Sequence, residues 1–94
     1  MTEVIKLAPA LDLVAASDLL NTFLENRGHD VEVEAGDVRR LGAQCLQVLL
    51  SAKAAWNEDG CGFLVKDCSE EFVEYLEIMG LNQDYLNSHI ENIG

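Results

Sequence analysis

The stretch that decides the fold runs Val31-Glu32-Val33-Glu34-Ala35-Gly36-Asp37, then Val38-Arg39-Arg40-Leu41, then Gly42-Ala43-Gln44-Cys45-Leu46-Gln47-Val48-Leu49-Leu50. Its first five residues alternate apolar and acidic, the period-2 pattern of a half-buried strand. Gly36-Asp37 turns the chain. From Gly42 to about Trp56 the pattern changes to a helical one, with Cys45, Leu46, Val48, Leu49, Leu50 and Ala52 apolar almost all the way round. Such a helix is largely buried, leaving Gln44, Gln47 and Lys53 for the surface.

The same strand-then-helix step is expected on either side. Upstream, Val4-Ile5-Lys6-Leu7 reads as a short strand stopped by Pro9, which has no N–H to give a ladder. Asp12 is placed to cap a helix from about Val14 to Asn26, with Ala16, Leu19, Leu20, Phe23 and Leu24 as its buried face. Gly28 follows as a left-handed C-terminal residue. Downstream, Asn57-Glu58-Asp59-Gly60 is a turn, and Cys61 to Val65 is a solid apolar run expected to form a central strand covered on both faces. Ser69 caps a third helix, with Glu70 and Glu71 in its first turn and Phe72, Val73, Leu76 and Met79 as its stripe. Gly80-Leu81 closes it as a Schellman cap, and a last helix is expected with Leu86, Ile90 and Ile93 on one face. The order predicts an α/β fold, a small, mostly parallel or mixed β-sheet with helices packed around it, forming a single domain over residues 1–94.

Composition narrows the partners. Seventeen acidic residues against six basic ones give a net charge of −11. That field repels phosphate backbones and anionic headgroups, so no nucleic acid and no membrane insertion are expected. It favours a partner with a basic surface. Cys45, Cys61 and Cys68 are odd in number and sit in apolar runs, which reads as three small buried hydrophobes kept reduced in a cytoplasmic protein. His29 and His89 form no ligand pattern with them, so no metal and no cofactor are expected. The starting Met1-Thr2-Glu3 has no basic, apolar leader pattern. Hydrolase elbows, zinc-protease motifs and phosphate loops are all missing, and the chain is not expected to be an enzyme.

The pieces taken together resemble the STAS family, named for sulphate transporters and anti-sigma-factor antagonists. Those domains carry a small, apolar, Asp step before the first helix, here Ala10-Leu11-Asp12. They continue with a strand, a V-x-x-[IL] lead-in and a D-[ST]-[ST]-G-L-x-x-L-L helix start, here Val31 to Ala35, Val38 to Leu41 and Gly42 to Leu50. A G-x-x-[FL]-x-[LV] strand and a helix ending in Gly-Leu follow, here Gly60 to Val65 and Met79-Gly80-Leu81. The resemblance implies docking to a protein partner, a histidine kinase or an anti-sigma-type kinase. It also implies a phosphoacceptor hydroxyl just after the Asp of the helix start. Gly42 stands at that Asp and Ala43 at that hydroxyl, so this chain lacks the serine switch.

Within the family, the run Gly42 to Leu50 followed by Trp56 is similar to small STAS proteins of alphaproteobacterial chemotaxis clusters, of the CheS type. The expected partner-binding set is Asp37, Arg39, Arg40, Gly42, Ala43, Gln44 and Gln47. Arg39 and Arg40 are also expected to pair with Asp37 or Glu34 on an acidic surface, and Trp56 to pack in the core. The alternatives are an anti-sigma-factor antagonist, a STAS subunit of a lipid-transport ATPase complex, or a small-molecule-binding domain. The oligomeric state is expected to be a monomer or weak homodimer.

Overall fold

The computed structural model of the protein describes residues 2–81. Three parallel strands form its sheet in the order β1-β3-β5: β1 Glu3–Lys6, β3 Val31–Glu34 and β5 Phe63–Lys66. Between them run α1 Leu13–Glu25, α2 Ala43–Asp59 and, after β5, α3 Glu70–Ile78. A second, two-residue parallel pair joins β2 Ala10–Leu11 to β4 Arg40–Leu41, just ahead of α1 and α2. The small parallel α/β sheet expected from the alternating periods is therefore present. The last helix placed over Leu86, Ile90 and Ile93 lies outside the described residues.

The register explains which side of the sheet is sealed. Val31 lies beside Phe63, and Val33 lies between Ile5 and Val65, and all five are buried. The intervening row sets Val4 against Glu32 and Leu64, and the next sets Lys6 against Glu34 and Lys66. This second face is polar and half-open, with Lys66 Nζ 2.8 Å from Glu32 Oε1. The run from Cys61 to Val65 is thus not a central strand covered on both faces. β3 is central, the strand itself runs Phe63–Lys66, and Leu64 is only half-buried beside Glu32. An unbroken apolar run hid an ordinary alternation because one outward position happens to be leucine.

Helix ends follow backbone chemistry. Asp12 accepts from the Ala15 N–H at 3.0 Å as the α1 cap. The turn expected at Asn57 to Gly60 is instead the last turn of α2, which continues through Asp59. Gly60 then takes φ 73°, with its N–H on the Asn57 carbonyl and the Cys61 N–H on the Trp56 carbonyl, a Schellman closure. Gly80 closes α3 in the same way as expected, with φ 79° and the Leu81 N–H 2.8 Å from the Leu76 carbonyl. Ser69 caps α3 and does more: its hydroxyl donates to the Val38 carbonyl at 2.6 Å and accepts from the Phe72 N–H at 3.1 Å. One side chain so fixes α3 against the segment leading into α2.

The core gathers Phe23, Trp56 and Phe63, whose ring centroids lie 5.8 to 6.1 Å apart. Trp56 is 1% exposed, as expected of a core residue, and its indole N–H donates to the His29 carbonyl at 2.7 Å. On α1 the buried face is narrower than the apolar stripe implied. Leu19 and Phe23 are buried, whereas Leu20 and Leu24 are exposed by 45% and 54%. The two leucines sit one step around the helix from the sheet-facing side, along its boundary with α2.

Candidate functional site

β2 and β4 bring the starts of two helices together. The carbonyl of Pro9, a residue with no N–H of its own to donate, accepts from the N–H groups of both Arg39 (2.7 Å) and Arg40 (3.1 Å). Two residues on, the Gly42 N–H donates to the Leu11 carbonyl at 2.7 Å, and the Cys45 thiol to the Asp12 carbonyl at 3.3 Å. The chain thus lays Leu11-Asp12 against Leu41-Gly42, and α1 and α2 leave that junction side by side. A signal for this pairing was present in the sequence, since each helix is preceded by leucine and a capping residue, but two-residue bridges are too short to read from periodicity.

The two caps differ. Asp12 supplies a side-chain acceptor to α1; Gly42 supplies none to α2. A Cβ at position 42 would meet the Leu11 carbonyl oxygen at 3.1 Å, so the close backbone approach is matched to glycine. The N-terminus of α2 keeps its partial positive charge unsatisfied by any cap side chain. Ala43, at the first helical position, is exposed.

Ala43, Gln44 and Gln47 line a groove of about 450 Å³ between α2 and α1, with Ala16, Leu20 and Val48 among its other walls. Three of the expected partner-binding residues are therefore one surface, with Gly42 at its head. The other three lie elsewhere. Arg39 Nη1 is 3.3 Å from Glu71 Oε2, in a groove along α3 with Tyr75 and Ile78. Asp37 pairs with Lys6 at 3.3 Å on the far side of the sheet's end. Arg40 is exposed on β4. The pairing of Arg39 with Asp37 or Glu34 expected from proximity in sequence does not form: Ser69 draws α3 up to Val38 and presents Glu71 instead. Sequence reasoning misses the residues of α1, chiefly Ala16 and Leu20, which the apolar periodicity assigns wholly to the core.

The cysteines also sort differently from expectation. Cys45 is buried, but Cys61 and Cys68 are only half-buried. Burial, reinforced by Asp67, pushes the Cys68 thiol up to about 11. Burial, with Asp12 nearby, raises that of Cys45 as well. A thiol held protonated at neutral pH is a poor nucleophile. Among the described residues, no group of three His, Cys, Asp or Glu side chains gathers as a metal site. No helix among them is long and apolar enough to cross a membrane.

The family model described as Mlab, STAS domain matches residues 1–90. The chain belongs to the STAS family. Comparison with curated proteins and with solved structures gave no match. STAS domains commonly mediate protein–protein interaction. In this STAS domain the exposed first turn of α2 carries Gly42-Ala43-Gln44, with no hydroxyl where the resemblance locates the phosphoacceptor.

Proposed function

We propose that this STAS domain is a non-catalytic docking module of bacterial signal transduction, an accessory of the CheS kind that binds a CheA-type histidine kinase. The observation that carries the reading is the exposed start of α2, where Ala43, Gln44 and Gln47 form one wall of a groove completed by Ala16 and Leu20 of α1. A methyl group at position 43 cannot take a phosphate, so the surface stays competent to dock whatever the phosphorylation state of the pathway. The raised thiols of Cys45 and Cys68 support a role without a reaction of its own. The kinase and the chemotaxis setting rest on the likeness of Gly42 to Leu50 and Trp56 to that subgroup.

Co-elution of the chain with a CheA-type kinase fragment tests this. Ala43→Trp, which fills the mouth of the groove, should weaken binding about tenfold or more, equivalent to at least about 1.4 kcal/mol. Arg39→Glu, whose side chain lies with Glu71 on the α3 side, should leave binding within about twofold. Unchanged binding by the Ala43 variant would overturn the docking face. Capture of an anti-sigma kinase or a lipid-transport ATPase in place of the CheA-type kinase would keep the face and overturn the partner.

A further inference from the structure

The groove that opens at Ala43 does not stop at the first turn of α2. A second cleft, of about 180 Å³, shares Leu20 and Val48 with it as walls and continues past Leu24 and Ala55 to Trp56. Among the described residues, the only charged wall residue of either is Arg27, held by Asp59 through contacts of 2.8 and 3.2 Å. From Ala43 to Ala52 the sequence of α2 has no charged residue at all. Along α1, Leu13, Leu20 and Leu24 are exposed by 67%, 45% and 54%, with small Ala16 and Ser17 between them. In a chain that is 24% charged, such a strip stands apart, and depletion of charge is what marks the core of a protein interface. Past its walls the chain is acidic, with exposed Glu25 next to Leu24 on α1 and exposed Glu58 two residues beyond Trp56 on α2.

We propose that this strip receives an amphipathic helix of a partner protein, its apolar ridge laid between α1 and α2 and its flanks carrying lysine or arginine. The inference rests on the reading of the chain as a docking module and names the chemistry of what docks. From Ala43 to Ala55 the strip is about 18 Å long, room for three to four turns of helix. Leu13, Leu20 and Leu24 repeat at helical spacing, and the small residues between them let a second helix approach closely. Charge decides the occupant. A second copy would bring another body of charge −11 against this one. A basic-flanked helix meets the same net charge with attraction.

The test uses the full chain and a synthetic helical peptide of about 18 residues with leucine at i, i+3, i+4 and i+7 and lysine elsewhere, beside a version with glutamate for lysine. Fluorescence anisotropy should show the lysine peptide binding at least about tenfold more tightly than the glutamate peptide. Replacing Leu20→Gln with Leu24→Gln should weaken the lysine peptide about tenfold or more, while Val14→Gln with Ile78→Gln, exposed apolar positions off the strip, should change it less than about twofold. Circular dichroism confirms that both variants fold. Equal effects of the two pairs would mean attraction to acidic surface in general and would overturn the proposal. So would a sedimenting dimer that the Leu20 and Leu24 changes dissociate, which makes a second copy the occupant. Tighter peptide binding after Ile90→Gln would assign the strip to the chain's own C-terminal residues and would also overturn it. Full kinase binding by the Leu20 and Leu24 variant would remove the strip but keep the docking face at Ala43. Peptide binding as expected with no kinase bound would remove the kinase but keep the strip.

Discussion

Trp56 shows how much one side chain decides at the back of the α1–α2 pair. It touches Phe23 of α1 and Phe63 of β5 edge-on, and its N–H satisfies the His29 carbonyl in the loop that enters β3. Two helices, a strand and a loop are so registered by one ring. Trp56→Ala should destabilise the protein by about 3–5 kcal/mol, a large part of the 5–15 kcal/mol typical of a domain. Trp56→Phe keeps much of the packing but leaves the His29 carbonyl without its donor, and should lose about 1–3 kcal/mol. Urea unfolding followed by circular dichroism measures both. A loss below about 1 kcal/mol for the alanine variant would mean that the ring is not a keystone of the core. Ser69 is the polar counterpart, since its bonds to Val38 and Phe72 explain why Glu71, and not Asp37, meets Arg39.

At the scale of elements, the proposed docking face begins at the start of α2, an N-terminus without a side-chain cap. Ala43→Asp separates its two roles. A carboxylate in the first turn of a helix is favoured by the helix dipole, worth about 0.3–1 kcal/mol, so the variant should be as stable as the parent or slightly more so. The same negative charge at the mouth of the groove should weaken partner binding about tenfold or more, as a phosphate would. Thermal melting and co-elution read the two effects. A variant that docks as well as the parent would show that position 43 does not face the partner. The existence and order of the three helices and of β1, β3 and β5 were legible from their apolar patterns, as in Val31 to Ala35 or Phe72 to Leu76, whereas the two-residue β2 and β4 were not. What was not legible were the relations between elements. Leu20 and Leu24 belong to the same apolar stripe as Leu19 and Phe23, and no periodicity tells which part of a wide stripe meets the sheet and which meets a neighbour. The junction of Leu11 with Leu41 rests on backbone hydrogen bonds, which leave no trace in side-chain type.

For the whole molecule, the sheet divides the surface into two unlike halves. One face packs under α1 and α2; the other is a half-open field of Lys6, Glu34, Lys66 and Glu32. Among the described residues the excess of acid lies on α3, in the loops and at Asp18, Glu25, Glu58 and Asp59 of α1 and α2, and not in the groove walls, while Lys6 and Lys66 balance Glu32 and Glu34 on the sheet's outer face. Net charge was plain in the sequence, yet its uneven placement appears only once the helices are set side by side. The α1–α2 face is the proposed binding face, and amide hydrogen exchange of the full chain, alone and with a CheA-type kinase fragment, tests that most directly. The expected result is slowed exchange confined to Ala16 to Leu24 and Ala43 to Ser51, with β1, β5 and α3 unchanged. Protection at Arg39 and α3, or across the outer face of the sheet, with the α1–α2 pair unchanged, would contradict it.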